Sequence, residues 1–375
     1  MDALILSYAL DTNGQNARYV RAAERWGSDP GVLRALAVGN YDPANVVGRY
    51  GLAAEKIGGV AIRSAHRSQA YFDFPRDLIW DRSTDAEVRR LAAEADVIHL
   101  NNNWRSYQSL GLRKPALLHH HGSMFRSNPE PLLGAAKARG FAQAVSTIDL
   151  LRIAPDVLTW LPTAYDLDEL AEIGRLWRRE PDGRFRVVSA PTNRAFKSTE
   201  ALLAAVEVLQ GEGLPIDLLL VEGKTWAECL RAKATADLYF DQVILGYGCN
   251  AVEAWGMDVP VVAGADPWTL DRMRAEFGVL PFYEATPETI ADAIRTLYAS
   301  PDLRAEYVAR GKAHNARYHA ERPALERLVE LYGRAIQDRQ AIISAPRIAP
   351  PRGGSWAGLA QARREARIAA RRGGA

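Results

Sequence analysis

Phe185-Arg186-Val187-Val188-Ser189-Ala190-Pro191-Thr192-Asn193-Arg194-Ala195-Phe196-Lys197-Ser198-Thr199-Glu200 decides how this chain reads. An apolar strand ends at Ser189, a loop carries two cations, and a helix starts near Ser198 or Thr199. Leu202, Leu203, Val206 and Leu209 mark that helix's buried face. Ile216 to Val221 reads as the next strand, Leu238-Tyr239-Phe240 as a short one and Val259 to Val262 as another. Helices are expected over 286–299 and 301–337. Upstream, Leu4 to Tyr8, Val60 to Ile62, Val97 to Leu100, Ala116 to His119 and Ala142 to Ser146 are predicted strands separated by helix-like segments. After the first of these, a turn at Asp11 to Gln15 leads to a helical face of Ala17, Val20, Ala23 and Trp26. Strands alternating with helices predict parallel sheets covered on both faces.

The alternation stops over 164–183, where charges surround Trp177 and Pro181-Asp182-Gly183 signals a turn. The expected fold class is therefore α/β, with two doubly wound parallel-sheet domains. The first spans 1–165 and the second 184–320, with a linker over 166–183, closing helices over 321–345 and a basic tail over 346–375. Each half has enough residues for its own core.

Composition narrows the function. Of 375 residues, 48% are hydrophobic and 25% charged, which excludes a disordered chain, a collagen-like chain and a disulfide-stapled miniprotein. No apolar run reaches the length of a membrane-spanning helix. Met1 to Leu6 lacks the basic start of a signal peptide and reads as a core strand. Cys229 and Cys249 give neither a disulfide framework nor metal-ligand spacing. A cytoplasmic setting is expected, in a cell or an infected host. The net charge of +2 conceals an asymmetry: residues 346–375 hold seven arginines and one acid, a net +6, which leaves −4 on the rest. A mildly acidic body argues against a nucleic-acid-binding domain. The tail reads as a solvated segment, or as a basic helix with Trp356, Leu359, Ala362 and Ile368 on one face, suited to an anionic surface such as a membrane.

Two segments carry candidate chemistry. Lys197 and Arg194, beside a helix N-terminus, would make a diphosphate site, or would be solvated cations on a capped helix. In Gly246-Tyr247-Gly248-Cys249-Asn250-Ala251-Val252-Glu253, Glu253 would accept hydrogen bonds from a ribose, or close a capping box with Asn250 as N-cap. In the run His119-His120-His121, an extended backbone points the outer two to one face and His120 to the other. No third ligand at metal-like spacing accompanies them. Asp166-Leu167-Asp168 imitates a metal-binding Asp-x-Asp but falls at the crossing between the halves, where its charges are expected to be solvated. Asn101-Asn102-Asn103-Trp104-Arg105 follows a strand, and Trp104 would close a core edge or stack on a ligand ring.

The order of these segments resembles GT-B glycosyltransferases, nearest the large family-four group. Lys197-Ser198-Thr199 resembles the family's lysine before a Gly/Ser-Thr helix start. Glu253-Ala254 followed by Val259-Pro260-Val261-Val262 resembles its Glu-Ala helix and Gly-Pro-Val-like strand. Asp11-Thr12-Asn13-Gly14, Asp96-Val97-Ile98-His99 and Pro115 to Gly122 resemble its first half, and Val145-Ser146-Thr147 with Leu161 to Asp166 resembles the crossing into its second domain. His319 to Tyr332 resembles its closing helices. The resemblance covers roughly residues 3–340. It implies two Rossmann-like domains facing a cleft, and transfer of a sugar from a nucleotide-diphosphate donor to an acceptor with retention of configuration. Lys197 and Arg194 would neutralise the departing diphosphate, Gly14 would let the first loop approach the phosphates, and Glu253 would bind the ribose. Glu222-Gly223 would lie near the nucleobase, and His121 in the cleft near sugar and acceptor. Asn193 and the turn Tyr247-Gly248 would complete the donor site. No metal and no cofactor are implied; the nucleotide sugar is the substrate.

One departure stands out. The family's first glutamate, eight positions before Glu253, is Leu245 here, with Asp241 or the Tyr247-Gly248 backbone as substitutes. That keeps open a non-catalytic nucleotide-sugar-binding module, and a sugar-nucleotide epimerase of the same fold. A nicotinamide dehydrogenase is disfavoured, because the first strand and helix enclose no G-x-G-x-x-G. The acceptor class, whether saccharide, lipid, protein or modified nucleic acid, stays open.

Overall fold

The computed structural model describes residues 24–27, 31–68, 74, 76–111 and 113–344. The strand read at Leu4 to Tyr8, the turn with Gly14 and the basic tail lie outside them. The chain divides into two compact units, Met1–Arg339 and Gln340–Ala375, and the account below concerns the first.

Seven parallel strands form the first sheet: β1 (Leu33–Gly39), β2 (Val60–His66), β3 (Leu78–Ile79), β4 (Val97–Asn101), β5 (Ala116–His120), β6 (Ala142–Val145) and β7 (Thr159–Trp160). Their order is β3-β2-β1-β4-β5-β6-β7. The sequence reading passes over β1, which the structure puts inside the sheet, between β2 and β4. Its composition, Leu-Arg-Ala-Leu-Ala, favours helix, but β2 and β4 pair with it along both edges. The alternation along β1 has a packing reason. Ala35 and Ala37 face helix α1 (Val46–Ile57) and the long helix α13 (Glu321–Ser344), where Tyr50 and Tyr332 fill the space the small side chains leave. Leu36 and Val38 face the other way, onto α2 (Asp85–Glu94). Next along the chain come α3 (Trp104–Leu110), α4 (Gly122–Ser127) and α5 (Pro129–Arg139).

The segment 166–183 is more than a linker. Leu167–Trp177 forms α6, an amphipathic helix whose Leu170 and Ile173 join the core of the second half. The second sheet holds β8 (Phe185–Ser189), β9 (Ile216–Leu220), β10 (Leu238–Gln242), β11 (Leu245–Gly246), β12 (Val261–Ala265) and β13 (Tyr283–Glu284). Its order is β11-β12-β10-β8-β9, with β13 beside β12, and only β11 runs antiparallel. One face packs on α7 (Thr199–Gly211) and α11 (Ile290–Ala299), and the other on α8 (Trp226–Ala234), α9 (Cys249–Gly256) and α10 (Pro267–Phe277). The chain then runs through α12 (Pro301–His314) and a π-turn, Asn315–His319, into α13. No described helix is long and apolar enough to cross a membrane.

The second sheet leaves no room at Gly264. A Cβ there would lie 1.9 Å from the Ala285 carbonyl oxygen. Gly264→Ala is therefore expected to lose about 1–3 kcal/mol of stability, the usual cost of overpacking, as read from urea unfolding.

Candidate functional site

Both sheets change winding direction where β1 meets β4 and where β8 meets β10, and such points leave a crevice at the carboxyl ends of the strands. A cavity of about 520 Å³ lies there. The loop after β1 contributes Tyr41, Pro43 and Ala44, joined by Phe74. The loops after β8 and β9 contribute Pro191, Thr192 and Lys197, and Gly223, Lys224 and Thr225. Helices α8 and α9 contribute Trp226 and Cys229, and Cys249, Asn250 and Glu253. The β1 loop holds Ala44 and Asn45 at φ of 54° and 55°, a left-handed conformation unfavourable for alanine. Asp42 fixes that loop by accepting the N–H groups of Val47 (3.1 Å) and Gly48 (2.8 Å) at the start of α1.

Lys197 enters the cavity from the residue before the turn into α7. Ser198 has a φ of 52°, and the helix begins at Thr199, as the sequence predicts. The Lys197 ammonium donates to the carboxylate of buried Asp241, whose other oxygen accepts the Gly248 N–H at 2.6 Å. Gly248 is close: a Cβ there would be 3.5 Å from the Lys197 nitrogen. The hydroxyls of Ser189, Ser198 and Thr199 are buried at the same strand end and helix start, without hydrogen-bond partners.

Glu253 is 2% exposed, and four side chains converge on it. Its Oε1 accepts Trp226 Nε1–H (3.0 Å), Arg49 Nη2–H (3.1 Å) and the Tyr165 hydroxyl (3.4 Å), and its Oε2 accepts the Lys233 ammonium. Burial would raise this carboxyl, but Lys233 and Arg49 beside it hold it below the usual glutamate range. The capping box read at Asn250 and Glu253 is not formed. Gly248 is the N-cap of α9, which leaves Asn250 and Glu253 inside the helix; Asn250 Oδ1 accepts Lys233 Nζ–H at 2.6 Å. The sequence reading missed a real capping box, Thr225 with Glu228, at the start of α8.

Of the predicted site residues, the structure brings Lys197, Gly223 and Glu253 to the cavity, with Gly248 beside Lys197. Arg194 and Glu222 do not line it; they pair with each other at 2.7 and 2.9 Å on the surface, with Glu200 3.3 Å from Arg194. Asn193 shapes the loop by accepting the Ala195 and Phe196 N–H groups. Tyr247 is in the core. His319 Nδ1 donates to the Thr163 carbonyl (2.9 Å), so its Nε2 accepts the Tyr247 hydroxyl proton (3.0 Å), and that oxygen accepts from His314 Nε2 (2.7 Å). Gly14 lies outside the described residues.

The histidines alternate as the strand requires. His119 and His121 share one face with ring centres 4.0 Å apart, and His120 stacks on Phe125 and reaches Gln143 at 3.0 Å. His121 Nε2 is buried without a partner, and its backbone N–H donates to Asn102 Oδ1 (2.6 Å). The Arg139 guanidinium covers the Trp104 ring at 4.1 Å. Asp166 corrects the expectation of solvated charge: its side chain caps α6 through the Glu169 N–H (3.1 Å) and pairs with Lys56 (2.9 Å), while Asp168 is exposed.

Arg49, Lys233, Trp226 and Tyr41 are the site residues that sequence reasoning missed. A signal existed for Arg49: it is the one charge in Val46-Val47-Gly48-Arg49-Tyr50-Gly51-Leu52, a segment buried throughout.

No protein-family model and no curated protein sequence matches this chain. Solved structures do. HepE from Anabaena, in complex with UDP and glucose, is 15% identical, with a TM-score of 0.55 over 80% of this chain and 99% of that one. Sucrose-phosphate synthase from Thermosynechococcus elongatus is 14% identical, with a TM-score of 0.55 over 83% and 100%. The catalytic domain of starch synthase IV from Arabidopsis thaliana, bound to ADP and acarbose, is 10% identical, with a TM-score of 0.54 over 82% and 100%. At these identities the likeness establishes the fold, which is GT-B.

Proposed function

We propose that this chain is a GT-B glycosyltransferase that moves a sugar from a nucleotide-diphosphate donor to an acceptor, with retention and without a metal. The observation that carries the reading is the Lys197 ammonium, set in the cavity at the carboxyl ends of both sheets and at the start of α7. As the glycosidic bond breaks, negative charge grows on the diphosphate, and a cation already aimed there stabilises the transition state. Asp241 keeps that cation aimed, and the unpartnered hydroxyls of Ser198 and Thr199 are donors suited to phosphate oxygens. The loop after β1 would lie over the donor. Gly223 and Thr225 would flank the nucleobase. His121, expected in the cleft, is buried and does not line the cavity, and burial holds it well below its usual range as a neutral imidazole. The two free cysteines suit a reducing compartment such as the cytoplasm.

A second reading, a binding module without turnover, has one observation in its favour. Leu245 occupies the short strand β11, and the nearby Asp241 carboxylate is already taken by Lys197 and Gly248. A thermal-shift panel of UDP, GDP, ADP, dTDP and their sugar conjugates tests the main reading. Ligand at 100 times Kd adds about 2.7 kcal/mol, which is expected for one nucleotide family and is lost in Lys197→Ala. A shift that survives in Lys197→Ala overturns that residue's role. Binding without release of sugar to acceptor or water favours the module.

A further inference from the structure

Arg49 starts in a helix of the first sheet and ends on a carboxylate of the second. Its guanidinium carbon sits 4.0, 4.8 and 5.9 Å from the ring centres of Tyr165, Trp226 and Phe74. Its Nε donates to the carbonyl of Ala44, the strained residue of the β1 loop, at 3.3 Å. One side chain thus joins the cavity's first-sheet wall to Glu253. One oxygen of that carboxylate is crowded. Oε1 accepts from Arg49, Trp226 and the Tyr165 hydroxyl, which is shared with the Cys249 carbonyl, while Oε2 accepts Lys233. An oxygen offers about two acceptor sites, so two ribose hydroxyls cannot engage both oxygens unless a donor leaves Oε1. Lys233 and Trp226 are fixed on α8 of the second sheet, and Arg49 is the charged donor that comes from the first.

We propose that Arg49 is a latch that competes with the ribose of the donor nucleotide for Glu253, an inference that rests on the donor-site reading above. Nucleotide binding to Glu253 and withdrawal of Arg49 are then one linked equilibrium. Lys233 still balances the carboxylate when Arg49 is gone.

The test is calorimetric titration of the full chain with the ribonucleoside diphosphate that gives the largest thermal shift, and with its 2′,3′-dideoxy counterpart. Arg49→Gln is expected to bind the ribonucleotide about fivefold or more tightly than the unaltered protein, and the dideoxynucleotide equally. Arg49→Lys keeps the charge but loses the planar fork; it is expected to fall between, and it keeps the test alive if the glutamine variant does not fold. A folded variant with unchanged or weaker ribonucleotide binding overturns the latch, and so does an equal gain for the dideoxynucleotide. If no nucleotide binds to any of the three proteins, the donor-site reading fails and takes the latch with it.

Discussion

Between pH 6.5 and pH 5 this protein is expected to lose several kcal/mol of stability. All seven histidines are buried: His66, His99, His119, His120, His121, His314 and His319. Burial lowers every one, taking His99 to about 3 and His120 and His319 to about 4. Their neighbours reinforce this. His119 faces His99 and His121, and His314 faces His319 and Arg317, so each imidazolium would meet another cation; only His66 has carboxylates, Asp42 and Asp77, acting in its favour. The sign follows from linkage. The unfolded chain takes up protons near pH 6.5 while the folded chain refuses them, so stability is full above 6.5 and lost as pH falls toward the folded values. Each such histidine removes about 1.4 kcal/mol per pH unit in that window. Over 1.5 units, the three histidines at 3–4 alone remove about 5 kcal/mol, against a typical total of about 5–15 kcal/mol. Ordinary carboxylates titrate lower, near pH 4, so the window belongs to the imidazoles. Urea unfolding at pH 7.5, 6.5, 5.5 and 5.0 measures it. A flat stability between pH 7.5 and 5.0 would mean that the histidines are hydrated or paired differently from the structure described here.

Those histidines also mark what the sequence made legible. Their alternation on β5 was readable because the period of a strand is fixed, whatever surrounds it. The strands β2, β4 to β6, β8 to β10 and β12 were readable because a strand buried on both faces needs an apolar run. β1 was not. Leu33-Arg34-Ala35-Leu36-Ala37 has local preferences for helix, and what overrides them is pairing with Val60–His66 and Val97–Asn101, residues far along the chain. With β1 passed over, the loop that faces the cavity went unseen as well. Lys197 was legible because its role is local, a cation beside a helix start. Glu253 was legible only as a carboxylate in a helix; its partners Lys233, Trp226 and Arg49 lie 20, 27 and 204 residues away. No spacing rule reaches that far.

Lys233→Met is expected to be the most destabilising single change at the site, at about 3–5 kcal/mol, the usual cost of removing one partner from a buried ion pair. Lys233 has no exposed side-chain surface, and its ammonium is held by Glu253 and by Asn250 Oδ1. Burial works to lower it, and the Cys229 and Glu253 groups beside it more than offset that, so it stays charged. Methionine fills a similar volume, so the loss reports charge, not a cavity. Glu253→Gln alone should also destabilise, because Lys233 and Arg49 then face each other across a neutral amide. The double variant should cost less than the sum of the two, with a coupling of about 0.5–3 kcal/mol in a double-mutant cycle. Additive costs, or a Lys233→Met loss under about 1 kcal/mol, would show that Lys233 and Glu253 do not form the buried pair. The outcome decides how activity data on Glu253 can be read. If the pair carries this much stability, a dead Glu253 variant reports a collapsed second half as readily as a lost ribose contact. Only variants whose unfolding midpoint is known then speak to donor binding. Arg49, which loosens Glu253 without orphaning it, becomes the cleaner position from which to probe the nucleotide.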